Sequence, residues 1–159
     1  MGIISRQDTL AKASVFCYYF DMNETGIIKK AAGILIQDRK LLVEKSKSKS
    51  FFIAPGGKVE PGETDTQALI RELFEEFKVV VKENDLEEFG TFKAQAAGNE
   101  SRMVSMHCFI VKSWDNTPAP NNEVEQIRWI TSDIPKDIRV GSIFEHEVIP
   151  KLKDLGLID

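Results

Sequence analysis

The stretch Gly56–Val79, GGKVEPGETDTQALIRELFEEFKV, constrains the chain more than any other. It opens as a loop rich in Gly and Pro and closes as a helical pattern. Thr64 followed by Gln67 has the spacing of a capping box, in which each side chain accepts from the other's backbone N–H. Pro61-Gly62 just upstream cannot continue a helix backwards. Leu69, Leu73 and Phe77 recur every four residues and predict the buried stripe of that helix. Glu72, Glu75 and Glu76 fall together on one face, because residues three and four apart on a helix are neighbours.

Two carboxylates about 5 Å apart repel by roughly 3 kcal/mol at an effective dielectric near 20. A divalent cation that prefers oxygen ligands turns that penalty into binding energy. A Glu-rich helix face on its own is ordinarily solvated, so the loop before it decides the matter. Gly56 and Gly57 let the backbone approach a ligand closely and present a carbonyl to a metal. Glu63 lies just before the helix start, where the dipole favours a carboxylate. Arg71, four residues before Glu75, is placed to orient that carboxylate.

The remainder predicts one domain over residues 1–159, with 1–26 as an N-terminal extension carrying an added strand at Ala13–Asp21. After a turn at Met22–Gly26, strands are expected at Ile27–Gln37 and Leu41–Glu44, joined by a tight hairpin at Asp38–Lys40. Ala31, Ala32 and Gly33 form a small-residue patch within the first of these. Further strands are expected at Phe89–Ala96, Met103–Lys112 and Gln126–Thr131, with a turn at Gly98-Asn99 and a loop over Trp114–Asn122. A final helix from about Ser142 towards Leu155 stops at Gly156 and is kinked or reset by Pro150. The sum is an α/β or α+β sandwich: one mixed sheet with two helices.

A formal charge of −4 argues against a general nucleic-acid binder. Cys17 and Cys108 lie far apart in apolar runs and read as buried thiols in a reducing compartment, without zinc-site spacing. The N-terminus has no apolar h-region and no segment approaches a membrane span, so a cytoplasmic protein with no membrane partner is expected. A monomer and a homodimer are both compatible with these features.

The stretch resembles the Nudix box, GX5EX7REUXEEXGU with U aliphatic. Gly57 opens it, Glu63 follows after five residues and Arg71-Glu72-Leu73 after seven more; Glu75-Glu76 and Val79 complete it. Lys78 stands where the pattern has Gly, so either the helix runs on or Lys78 accepts left-handed strain. The resemblance implies an α/β/α sandwich with a mixed β-sheet, an acidic catalytic helix and a C-terminal helix. It also implies hydrolysis of a nucleoside diphosphate linked to another group, with Mg²⁺ or Mn²⁺ activating water.

Carried over by position, Glu72, Glu75 and Glu76 would be metal ligands, with a Gly56 or Gly57 carbonyl as a further one. Glu63 would be a supporting acid and Arg71 the residue that holds a glutamate in place. Glu76, Glu75, Glu123 and Glu125 stand as candidates for the general base. Lys45, Lys47 and Lys49, in a polar loop of alternating Ser and Lys, are candidates to reach a phosphate chain. Lys45, Lys58 and Glu125 are the candidate substrate-binding residues. The PGGKVEPGE opening and the HEVIPKLKDLG ending look most like the MutT branch, which cleaves nucleoside triphosphates to monophosphate and pyrophosphate. By that analogy Arg139–Phe144 touches the base. Phe52, Phe92 and Trp129 are candidate stacking residues, with core packing the favoured reading. Two alternatives accompany this: a hydrolase of nucleotide sugars, ADP-ribose or dinucleoside polyphosphates, and a non-catalytic nucleotide-binding module, for which Lys78 is the one hint.

Overall fold

A computed structural model of the chain describes residues 26–97 and 99–159. The strand expected at Ala13–Asp21, most of the turn after it, and Cys17 lie outside these residues. Seven strands are described: β1 Ile27–Ile34, β2 Ile36–Gln37, β3 Lys40–Ser46, β4 Gly56–Lys58, β5 Leu86–Ala96, β6 Asn99–Val111 and β7 Val124–Ile130. Helix α1 is Asp65–Phe77, a short 3₁₀ turn covers Glu83–Asp85, and α2 is Ile149–Asp154.

The strands form two sheets rather than the single one expected. One is mixed, in the order β4-β1-β6-β5 with β1 and β6 parallel; the other is antiparallel, in the order β2-β3-β7. The run Ile27–Gln37 changes sheets at Leu35, which is fully buried and whose carbonyl accepts from Leu42 N–H at 2.9 Å. The expected hairpin is present: Asp38 and Arg39 both have positive φ, the twist that a two-residue turn needs to keep β2 and β3 paired.

Alternation along β1 sends neighbouring residues to opposite layers. Ala31 packs with Leu69, Leu73 and Phe77 of α1, and with Phe109 and Val111. Ala32 and Ile34 pack on the other side with Phe144, Val148 and Leu152. A side-chain carbon on Gly33 would lie 3.3 Å from Leu69 Cδ1, so the small-residue patch is what lets α1 settle onto the sheet. An α/β/α sandwich results.

The capping box forms as the spacing predicts. Gln67 N–H donates to Thr64 Oγ1 at 3.2 Å and Thr64 N–H donates to Gln67 Oε1 at 3.0 Å. At the other end Lys78 is left-handed, with φ 57° and ψ 22°, and its N–H closes onto the carbonyls of Leu73 and Phe74. The helix therefore stops where a glycine would have stopped it, and Lys78 carries strain of about 1 kcal/mol. The Lys78 ammonium sits 5.1 Å from the centre of the Phe74 ring, an exposed contact worth about 0.5 kcal/mol. Lys78→Gly is thus expected to stabilise the fold by about 0.5 kcal/mol, read as a higher urea midpoint at unchanged slope.

The C-terminal helical segment is not regular. A π turn spans Phe144–Val148, with Ile149 N–H reaching back to Phe144 O, and α2 follows with Pro150 in its first turn. Proline lacks an N–H and clashes with the carbonyl four residues earlier, so the wider turn before it accommodates the ring. Among the described residues no helix is long and apolar enough to cross a membrane.

Candidate active site

Gly56 and Gly57 in β4 pair with Ala32 and Ala31 of β1, which lays the glycine loop along α1. A side-chain carbon on Gly57 would fall 2.2 Å from Glu72 Oε1, so this carboxylate rests against bare backbone. Arg71 holds the surrounding acids. Its Nε and Nη2 reach the two oxygens of Glu63 at 2.6 and 3.0 Å, Nη1 reaches Glu72 Oε1 at 2.9 Å, and Glu75 Oε2 lies farther away at 3.4 Å. The sequence pointed Arg71 at Glu75; in the fold its main partners are Glu63 and Glu72. The guanidinium accordingly holds the Glu63 carboxyl below the ordinary range.

Glu76 occupies the most unusual environment. Its Oε2 is buried without a hydrogen-bond partner. Burial first, then the charges of Glu44 and Glu72, push its pKa to about 8. Glu44 of β3 was not anticipated as a site residue. It is only 1% exposed, its closest hydroxyl is Ser46 Oγ at 3.3 Å, and burial raises its pKa to about 7. The signal was present in strand alternation: Glu44 is in phase with Leu42, which packs in the α1 layer.

The last turn of α1 is tied down by the loop before β7. Asn121 and Asn122 donate through Nδ2 to Glu75 O at 2.6 and 3.0 Å, and Asn121 N–H donates to Glu76 O at 2.9 Å. Asn116 Nδ2 donates to Lys78 O at 3.0 Å. These bonds satisfy carbonyls that a helix end leaves open, and they fix the turn that carries two of the glutamates.

Beside these acids lies a cleft of about 530 Å³ whose lining includes Lys30, Lys49, Lys58, Phe51, Met106 and Arg139. The whole segment 139–144 borders it, and so do Gln95, Ala96 and Ala97. Phe52, Phe92 and Trp129 pack in the cores; Phe51 and Phe144 line the cleft. Lys58 and Lys49 reach the lining, whereas Lys45 pairs with Glu125 at 2.7 Å and Lys47 Nζ donates to Asn122 O at 3.0 Å. Glu123 is exposed, and its carbonyl accepts from Lys47 N–H.

Among the described residues no three His, Cys, Asp or Glu side chains converge as they stand on a metal-sized point. Arg71 engages Glu72 while Glu75 is half exposed. The donor set nevertheless suits a hard cation: carboxylate oxygens on one helix face, a buried oxygen without a partner on Glu76, and a glycine backbone against Glu72.

The sequence pattern of the NUDIX domain matches residues 27–150. The chain is 29% identical to the ADP-ribose pyrophosphatase of Methanocaldococcus jannaschii, over 75% of this chain and 68% of that one. It is 33% identical to the 8-oxo-dGTP diphosphatase of Haemophilus influenzae, over 58% and 68% respectively. Its fold is similar to that of MutT from Aliivibrio salmonicida and Vibrio cholerae, with TM-score 0.63, 24% identity, and coverage of 81% of this chain and 98% of that one. The E. coli ORF135 protein gives TM-score 0.62 at 24% identity, covering 84% and 91%. The chain belongs to the Nudix family and is a hydrolase of phosphoanhydride bonds.

Proposed function

We propose that the chain cleaves a nucleoside triphosphate to the monophosphate and pyrophosphate, as MutT-like enzymes do. The divalent cation, Mg²⁺ or Mn²⁺, would be held by Glu72, Glu75, Glu76 and the backbone carbonyl of Gly57 or Gly56. The partnerless buried oxygen of Glu76, beside the Glu72 carboxylate that lies on Gly57, is the observation that carries this reading. When bound, the cation supplies water activation and neutralises phosphate charge.

The chain's own residues do the positioning. Arg71 clamps Glu63 and Glu72, so neither carboxylate has to be ordered when substrate arrives. Lys58 and Lys49 at the cleft attract the phosphate chain, and Phe51 offers a ring face to the base. Glu76 is the acid assigned here to take the proton, with Glu75, Glu123 and Glu125 as the alternatives.

A panel of nucleotides incubated with Mg²⁺, with product identification, tests the reading. Pyrophosphate and a nucleoside monophosphate are expected. Two phosphorylated products without pyrophosphate would establish instead a nucleoside diphosphate-linked substrate. The likeness to the M. jannaschii ADP-ribose pyrophosphatase favours that second reading.

A pH effect on stability follows from the same carboxyls. Glu44 and Glu76 bind their protons more tightly in the folded chain than in the unfolded one. The stability they contribute is complete below the ordinary carboxylate range and is lost as pH rises through about 7 and about 8. Glu63 and Asp137, whose carboxyls are shifted down, act in the opposite sense but only at more acid pH. The metal-free protein is therefore expected to melt at a lower temperature near pH ~8.5 than near pH ~5.5. Added Mg²⁺ should restore the stability lost at the higher pH, and Glu76→Gln should flatten the profile; differential scanning calorimetry reads all three.

A further inference from the structure

Lys30 of β1 stands in register with Lys58 of β4 on one side and Met106 of β6 on the other. Neighbours across a sheet point to the same face, and all three side chains line the cleft, which Lys49 enters from the loop between β3 and β4. None of the three lysines makes a salt bridge to a described residue. Burial first, then repulsion from Lys49 and Lys58, hold the Lys30 ammonium below its usual range despite the attraction of Glu44 and Glu72. Three ammonium groups share this half-enclosed cleft with one lining carboxylate, Glu145, which pairs with none of them, and an anion of high charge relieves their repulsion.

Nucleotides differ in that respect. A terminal phosphomonoester carries about −1.5 to −2 charge near neutral pH. A phosphate esterified on both sides carries a single negative charge, so ADP-ribose brings far less charge than a nucleoside triphosphate. The cleft can hold either by size, and its apolar lining at Ile28, Val104, Met106 and Phe51 accepts a base or a sugar. Charge is therefore what discriminates.

We propose that Lys30 is a specificity-determining residue. Together with Lys49 and Lys58 it favours nucleotides ending in a free phosphate chain over those whose two phosphates are both esterified. The proposal rests on the reading that a nucleotide occupies this cleft beside the Glu72 and Glu76 carboxylates.

The test is calorimetric titration of the full chain, with Mg²⁺ present, using α,β-methylene analogues of a nucleoside triphosphate and of ADP-ribose. These resist cleavage at the linkage in question, so affinity is read apart from turnover. The natural chain should bind the triphosphate analogue more tightly. Lys30→Met should weaken it by about tenfold or more, the loss expected for one charge-assisted contact, while weakening the ADP-ribose analogue less than about threefold. Lys30→Arg keeps the charge and should retain the preference. Melting curves of both variants check that they fold; should Lys30→Met fail, Lys30→Gln replaces it.

Equal weakening of both analogues, or of neither, overturns the proposal while leaving triphosphate hydrolysis intact. Tight, Lys30-dependent triphosphate binding with no pyrophosphate released in the panel supports the proposal and overturns the catalytic reading. Binding of neither analogue to the natural chain overturns both.

Discussion

Glu76→Gln is expected to lower kcat by about a thousandfold, with KM for the nucleotide changed less than about threefold. The side chain keeps its shape but loses the negative charge that burial makes expensive in the metal-free state. A charge held in so unfavourable a place is useful only when something positive is beside it or a proton is being moved. Loss of rate with binding retained is the signature of a group that acts in the transition state. Steady-state kinetics over a Mg²⁺ series reads the effect, and a need for more Mg²⁺ would identify Glu76 as a ligand. A variant as active as the natural chain would sink the assignment and move the role to Glu75 or another acid.

The largest loss of stability is expected at Gly56. Its φ of 137° belongs to glycine, and a side-chain carbon there would fall 2.2 Å from Ala31 O and 2.9 Å from Ala32 Cα. Both obstacles are backbone, so Gly56→Ala must part β4 from β1 at Ala32, where Gly56 pairs. A cost of about 3 kcal/mol or more follows, against about 1 kcal/mol for Gly62→Ala. The latter strains φ (83° for Gly62) but meets nothing within 4 Å. Gly57→Ala separates stability from activity. It meets the carboxylate end of Glu72, a side chain able to move if it gives up its 2.9 Å bond from Arg71. Activity should fall steeply there while the urea midpoint moves modestly. Denaturation and initial rates on the three variants distinguish these outcomes, and equal unfolding midpoints for Gly56→Ala and Gly62→Ala would overturn the steric account.

Helix α1 was legible because everything that makes it is local. Thr64 and Gln67 cap it, Leu69, Leu73 and Phe77 bury it, and the spacing of three carboxylates declares their shared face before any tertiary contact exists. The spacing from Gly57 through Glu63 to Glu76 also carried the family, and the family's chemistry came with it. Even the irregular C-terminal segment announced itself at Pro150. By contrast, the sequence suggested that Arg71 serves Glu75, since four residues is helical contact distance. The fold gives Arg71 to Glu63 and Glu72 because the loop before the helix folds back over the guanidinium.

Other features depended on juxtapositions between residues distant in the chain. Glu44 comes to a buried position near Glu76 by strand phase and by the packing of the β3 layer. Lys30 meets Lys58 and Lys49 only because β4 pairs with β1 in one register, and Asn121 reaches Glu75 from a loop forty-six residues away. The amino-acid sequence alone determined the acidic helix and its glycine loop, because periodicity and short spacings are local geometry, and the family resemblance those residues carry implied the bond class that breaks. Tertiary structure alone decided which carboxylate is buried without a partner, which lysines face the cleft and which loop anchors the helix end. Those depend on sheet register and burial, and no short-range spacing encodes them.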